Sequence, residues 1–146
     1  MSKCNWKGGH GRPKNSEPYW SSSSAIALRE KLVDVSPDEV VTTIITYEEQ
    51  MRGWMAYLAR AKSMGQEVEA YHRLRRHLDN YRQIPTLGFG EKAAAKFQSL
   101  RRARIRIGSM DLKIAAIVLS QGATLLSRNL VDFGKVPGLK VEDWTT

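Results

Sequence analysis

The 146 residues include one cysteine, Cys4. A lone thiol excludes an internal disulfide and a cysteine metal cluster, and it suits a reducing cytoplasm. No apolar run approaches the roughly 20 residues that a bilayer-spanning helix needs. The N-terminus has a lysine but no apolar stretch behind it, which excludes a secretory signal. Histidine is scarce. His10 falls in an irregular tail, and His72 and His77 fall on an arginine-rich helix, where all three read as solvated surface. Acidic residues are also in deficit: 15 Asp+Glu stand against 23 Lys+Arg, a formal charge of +8 and a pI near 9.8. What remains is 42% hydrophobic and 26% charged, the composition of a globular chain with room for one domain. The positive surplus favours an anionic partner, with nucleic acid ahead of membrane.

The chain divides near residue 34. Residues 1–24 are rich in Gly, Ser, Pro, Asn and Lys, show no period of 2 or 3.6, and read as loop. Trp6 and Trp20 lie in this stretch and could stack on bases. Ala25 to Val33 predicts a short helix with Ser24 as its cap. Residues 1–34 are thus an irregular segment and 35–146 an ordered domain. Val40 to Ile45 is wholly β-branched and predicts a strand buried on both faces. Thr46 can cap a helix whose apolar stripe is Tyr47, Met51, Trp54, Met55 and Leu58, running to Met64 with Gly65 as its stop. A second helix spans Gln66 to Arg82. Pro85 to Phe89 is a short apolar stretch, and Gly90 to Arg104 is a further helix. Asp111 to Gln121 is a nearly all-apolar, buried helix stopped by Gly122. Ala123 to Leu126 and Pro137 to Val141 predict the last strands. Alternating strands and helices imply an α/β domain with a largely parallel sheet, whose chemistry sits at the carboxyl ends of the strands.

Each of those places offers a carboxylate. Glu48 and Glu49 follow the first strand, Asp111 opens the buried helix, and Asp132 lies past Leu126. Carboxylates gathered at one sheet edge repel one another unless protonated or bound to a cation, and hard oxygen ligands suit Mg²⁺ or Mn²⁺. Such a metal activates water and stabilises the leaving oxygen of a phosphodiester. Other roles are open to each residue. Thr46-Tyr47-Glu48-Glu49 has the form of a capping box, and helical phase sets Glu49 opposite the apolar stripe. Asp111 sits where a helix dipole favours an anion, and Asp132 and Asn129 are turn-forming types.

From Ser36 onward the sequence resembles PIN domains, specifically the VapC-type toxins of toxin–antitoxin pairs. Thr46 to Gly53 resembles the family's strand-to-helix element, with Glu49 four residues before Gly53. Ile107-Gly108-Ser109-Met110-Asp111-Leu112-Lys113-Ile114-Ala115-Ala116 resembles its G-x-x-D-x-x-I-A-A helix start. Gly122 to Asn129, with Asp132-Phe133, resembles G-x-x-L-x-T-R-N-x-x-D-F, and Val136 to Val141 resembles the closing strand. The resemblance implies a three-layer α/β/α fold and a Mg²⁺- or Mn²⁺-dependent ribonuclease with Glu49, Asp111 and Asp132 as ligands and Asn129 nearby. It also implies a homodimer and a cognate antitoxin.

One departure matters. PIN domains begin with an apolar strand that ends in an aspartate. Residues 1–24 contain no Asp and no apolar strand, so the first strand is replaced or missing. The Lys/Gly/Ser composition looks like sequence read in a different frame that joins the domain near residue 30. Losing one carboxylate lowers metal affinity, and weak or absent nuclease activity is the expectation. Arg101, Arg102, Arg104 and Arg106 lead into Asp111, and Arg128 precedes Asp132; these are the expected RNA phosphate contacts. Two functions compete: a PIN-type endoribonuclease, intact or decayed, and a non-catalytic module that keeps RNA or antitoxin binding.

Overall fold

The structure is a computed structural model that describes residues 4–6 and 23–145. Its elements in chain order are β1 (Cys4–Trp6), α1 (Ser23–Val33), a 3-10 turn (Pro37–Glu39), β2 (Val40–Thr43), α2 (Ile44–Ala59) and α3 (Met64–Arg82). There follow β3 (Thr86–Leu87), α4 (Glu91–Arg102), α5 (Ser109–Ser120), β4 (Thr124–Leu126), α6 (Leu130–Phe133) and β5 (Lys140–Glu142). The strands form one five-stranded sheet in the order β3-β2-β1-β4-β5, with every pair parallel. The α/β expectation holds.

The reading of residues 1–24 as strandless needs correction. Cys4–Trp6 is the central strand, with Cys4 beside Val40 on one side and Thr124 on the other. The expected apolar strand is replaced by a short one. Three residues are too few to show a period. A central parallel strand is held by hydrogen bonds from both neighbours, and this can override a weak local pattern. Residues before 35 therefore contribute to the same sheet. His10 and Trp20 lie outside the described residues, as does the side chain of Trp6.

Several boundaries also move. The β-branched run predicts a strand to Ile45, but β2 ends at Thr43. The Thr43 hydroxyl accepts from the Thr46 backbone N–H at 3.0 Å and lies 2.9 Å from the Thr46 hydroxyl, so Thr43 is the cap and not Thr46. Ile44 and Ile45 become the first turn of α2, with Ile45 buried and Ile44 exposed. Gly65 does not stop α2, which ends at Ala59. Ser63 and Gln66 cap α3 instead: Ser63 Oγ accepts from Gln66 N–H at 3.2 Å, and Gln66 Oε1 accepts from Lys62 N–H at 2.7 Å. That pairing places Gly65 in the first turn of α3.

The core gathers on α5. Ile114, Ala115, Ala116, Ile117 and Val118 are fully buried and pack with Leu125, Phe133, Leu100 and Ile45. Fully burying a side chain of isoleucine size contributes about 1.5–3 kcal/mol, so this helix anchors the domain. Its partner along its length is α4. The strand order reverses direction between β1 and β4, and right-handed crossovers then set the helices of the two halves on opposite faces.

Candidate functional site

The reversal point lies between the carboxyl ends of β1 and β4, where open parallel sheets bind their ligands. Trp6 ends β1 and is followed in sequence by Lys7; the first acidic residue of the chain is Glu17. Leu126 ends β4 and is followed by Ser127, Arg128 and Asn129. Ser127 is buried, its N–H donates to the Glu142 carbonyl at 3.0 Å, and its hydroxyl accepts from Asn129 N–H at 3.0 Å. The turn out of β4 is thus tied to β5, and Arg128 projects from it exposed.

The acidic residues expected at this edge fall into different settings. Asp132 and Asn129 cap each other across α6. Asn129 Oδ1 accepts from Asp132 N–H at 3.3 Å, while Asn129 Nδ2 donates to Asp132 Oδ2 at 2.9 Å. Asp132 Oδ1 accepts from Lys135 Nζ at 2.9 Å, and the same ammonium lies 3.4 Å from the Arg106 carbonyl. Both oxygens of Asp132 therefore have donors. The Lys135 ammonium, followed by the Asn129 amide, holds the Asp132 carboxyl below the usual carboxylate range. Sequence reading missed Lys135, although an i,i+3 spacing from Asp132 pointed to it. Asp111 stands in the first turn of α5, two residues inside the helix start, with its Oδ1 shielded from solvent. Glu49 lies in the second turn of α2, partly exposed; since α2 starts at Ile44, it is not the partner of a Thr46 capping box. Its neighbour Glu48 pairs with Arg52 at 2.9 Å.

Among the described residues, no group of three His, Cys, Asp or Glu side chains could hold a metal ion. Both oxygens of Asp132 are already engaged, so a cation bound there would have to displace Lys135.

The cations are better organised. Residues 91–113 hold seven Lys and Arg (Lys92, Lys96, Arg101, Arg102, Arg104, Arg106 and Lys113) against Glu91 and Asp111, a surplus of five within the chain's eight. No described carboxylate pairs with any of the seven, although α3 pairs Arg73 with Glu69 at 2.8 Å and Arg75 and Arg82 with Asp79 at 3.5 and 3.8 Å. The run Arg101, Arg102, Arg104 and Arg106 falls at the end of α4 and in its exit turn, with Lys92 and Lys96 before it on α4 and Lys113 after it on α5.

That exit turn is itself unusual. The helix expected to reach Arg104 ends at Arg102. Arg104 N–H donates to Arg101 O at 3.0 Å and Ile105 N–H to Leu100 O at 3.4 Å, the double bond pattern that closes a helix through a left-handed residue. Arg104 has φ 57°, the only positive φ among described residues other than glycine. The exit of α5 uses the same bonds, Gly122 N–H to Leu119 O and Ala123 N–H to Val118 O, with Gly122 at φ 60°. One motif thus carries glycine at one helix end and arginine at the other. Glycine takes this conformation freely, whereas an L-residue is strained.

A second region lies on α2 and α3. His77, expected on the surface, is buried among Tyr47, Trp54 and Tyr81, with ring centroids 5.9, 6.2 and 4.7 Å away. The arginines beside it in sequence suggested solvent, but α3 turns this one face against α2. Burial lowers its pKa, and its Nε2 has no hydrogen-bond partner among the described residues. Beyond Tyr47 an apolar groove of about 610 Å³ is lined by Ile44, Ile45, Tyr47, Glu48, Met51, Arg52 and Met55.

The fold is a PIN-like α/β fold. It is shared with a chain of the DNA-bound VapBC complex from Salmonella typhimurium, at 18% identity and TM-score 0.67 over 99% of each chain. VapBC-1 from nontypeable Haemophilus influenzae matches at 22% identity and TM-score 0.65 over 100% of each chain. FitAcB from Neisseria gonorrhoeae matches at 17% identity and TM-score 0.66 over 97% of each. No family model matches the sequence, and no curated protein matches it. No helix among the described residues is long and apolar enough to cross a membrane.

Proposed function

We propose that this chain is a VapC-like, PIN-type toxin protein of the cytoplasm that binds single-stranded RNA and a cognate antitoxin, and that hydrolyses phosphodiesters weakly at most. The observation that carries the RNA reading is the group of seven Lys and Arg in residues 91–113, none of which pairs with a described carboxylate. Arginine forks match phosphate oxygens bidentately, and lysine adds a point charge, so this surface holds a polyanion without reading its sequence. Arg128 and Asn129 lie at the reversal point of the sheet, where a strand of RNA held on α4 and α5 would be met.

Weak hydrolysis follows from the acids. The chain has no carboxylate before Glu17, so the end of β1 contributes none, and Asp132 is already held by Lys135 and Asn129. A metal bound by Glu49, Asp111 and Asp132 would supply an activated water, and displacing Lys135 from Asp132 is the price of forming that set. The full-length likeness to complexes named as VapBC supports an antitoxin partner. The apolar groove on α2 suits an apolar helix face of such a partner, and a homodimer accords with the resemblance.

The test is RNA binding and cleavage by the purified chain, with and without Mg²⁺ or Mn²⁺. Salt-sensitive binding with negligible cleavage is expected. Robust Mg²⁺-dependent cleavage, abolished in Asp111→Ala, would overturn the proposal of weak hydrolysis.

A further inference from the structure

Surface cations are usually ordered by carboxylates, which cancel their charge as they order them; Arg73, Arg75 and Arg82 on α3 are held this way. Two cations of the α4–α5 surface are ordered without that loss. Arg101 Cζ lies 5.7 Å from the centroid of the Phe97 ring, and Lys113 Nζ lies 5.8 Å from the same centroid. Lys113 Nζ is also 6.0 Å from the centroid of Phe89, which meets Phe97 edge to face at 6.0 Å. Both rings are half-buried and packed against the core, so they are fixed supports. An aromatic face attracts a cation within about 6 Å but leaves its full charge available to an anion.

Lys113 is partly buried while its neighbours on the surface, Arg101 and Arg102, are exposed. A lysine whose stem is covered and whose ammonium rests on two rings has lost rotamer freedom before any ligand arrives. Both cations lie within 6 Å of the Phe97 centroid, neither pairs with a described carboxylate, and the exposed Arg102 and Arg104 follow Arg101 in sequence. A guanidinium binds phosphate oxygens through its fork, and an ammonium binds them as a point charge.

We propose that Arg101 and Lys113, held on Phe97, form a phosphate-binding site for the backbone of single-stranded RNA between α4 and α5. It rests on the RNA-binding reading and adds a particular seat within it, in which Phe97 is a positioning residue.

The experiment is fluorescence anisotropy of the full chain with a short labelled single-stranded RNA, titrated in NaCl from about 50 to about 200 mM, the range over which phosphate contacts are lost. Lys113→Gln and Phe97→Leu are each expected to weaken binding several-fold and to lower the slope of log K against log salt by about 0.7, the value for one phosphate contact on a single strand. Arg75→Gln, whose guanidinium faces Asp79 on α3, is expected to leave the slope unchanged. The double variant Phe97→Leu/Lys113→Gln is expected to lose less than the two single losses combined, because the ring acts through the cations. If Phe97→Leu fails to show a cooperative melt, Lys113→Gln and Arg101→Gln decide the matter. RNA binding by the wild-type chain with unchanged slopes in the Lys113 and Arg101 variants would overturn this site while leaving the RNA reading in place. No RNA binding by the wild-type chain would overturn both, and so would binding confined to duplex DNA. Equal competition by inorganic phosphate at the same charge concentration would also overturn the site, since a seat for a polynucleotide linkage favours the polymer.

Discussion

Replacing Arg104 by glycine should raise stability and weaken RNA binding in the same protein. The first effect follows from φ 57° at the exit of α4. A left-handed conformation costs an L-residue about 1–2 kcal/mol, and the extra freedom of glycine in the unfolded chain returns about 0.5–1 kcal/mol. The net gain is about 0.5–1 kcal/mol, or about 2–3 °C in Tm for a chain of this size. None of the turn's backbone bonds is at risk, because Gly122 makes the same set at the end of α5. The second effect follows from removing one unpaired guanidinium, which should lower the salt slope for single-stranded RNA by about 0.7. Arg104→Ala separates the two effects. Alanine keeps the left-handed strain, so its Tm should stay near wild type while its RNA slope falls as in the glycine variant. Thermal melts by circular dichroism and anisotropy titrations with the same labelled RNA read both quantities. If Arg104→Gly melts at or below wild type, the turn is not strained as its φ indicates. If both variants bind RNA with the wild-type slope, the strained arginine has no role in binding.

Three further outcomes follow from other parts of the molecule. Thr43→Val should lower stability by about 1–2 kcal/mol, because it removes the cap of α2 from a fully buried position, and Thr43→Ser should recover most of the loss in urea melts. His77 has its pKa lowered by burial, so the unfolded chain binds its proton first; stability is full above the ordinary histidine pKa of about 6.5 and declines as pH falls below it. The fall in Tm between about pH 7.5 and about pH 5.5 should therefore shrink in His77→Phe, whose ring suits the Tyr47, Trp54 and Tyr81 surround, and an unchanged slope would show that His77 is not the titrating group. Lys135→Gln should return the Asp132 carboxyl toward the usual range, as read by ¹³C NMR titration; the Asp132 contribution, present above the unfolded carboxylate pKa and lost as pH falls through the lower folded one, should diminish with it.

Much of the α/β plan could be read from the chain because its signals are long or repeated. The apolar run of α5, the β-branched run of β2 and the alternation of helix with strand are patterns that packing alone enforces. The misread boundaries have local causes. Thr43 outcompetes Thr46 as a cap because its hydroxyl reaches the N–H three residues on, and the pair Ser63 and Gln66 outweighs the stop expected of Gly65. The central strand Cys4–Trp6 was illegible because its position comes from neighbours far away in sequence. At the candidate site, the density of Arg101, Arg102, Arg104 and Arg106 was plain, but the strain at Arg104 and the seating of Lys113 on Phe97 needed three dimensions. His77 misled for the opposite reason: its sequence neighbours are solvated, and only one face of α3 is not.

The placement of β1 also governs when the sheet can be completed. Cys4 precedes one of its two partners, Thr124, by 120 residues of chain. Until β4 emerges, the nascent chain carries a strand with an unmet edge, and the β3-β2 and β4-β5 halves have nothing to join them. Closure of the sheet is thus a late event with high contact order, and it should be slow relative to formation of the α2–α3 hairpin, whose contacts are local.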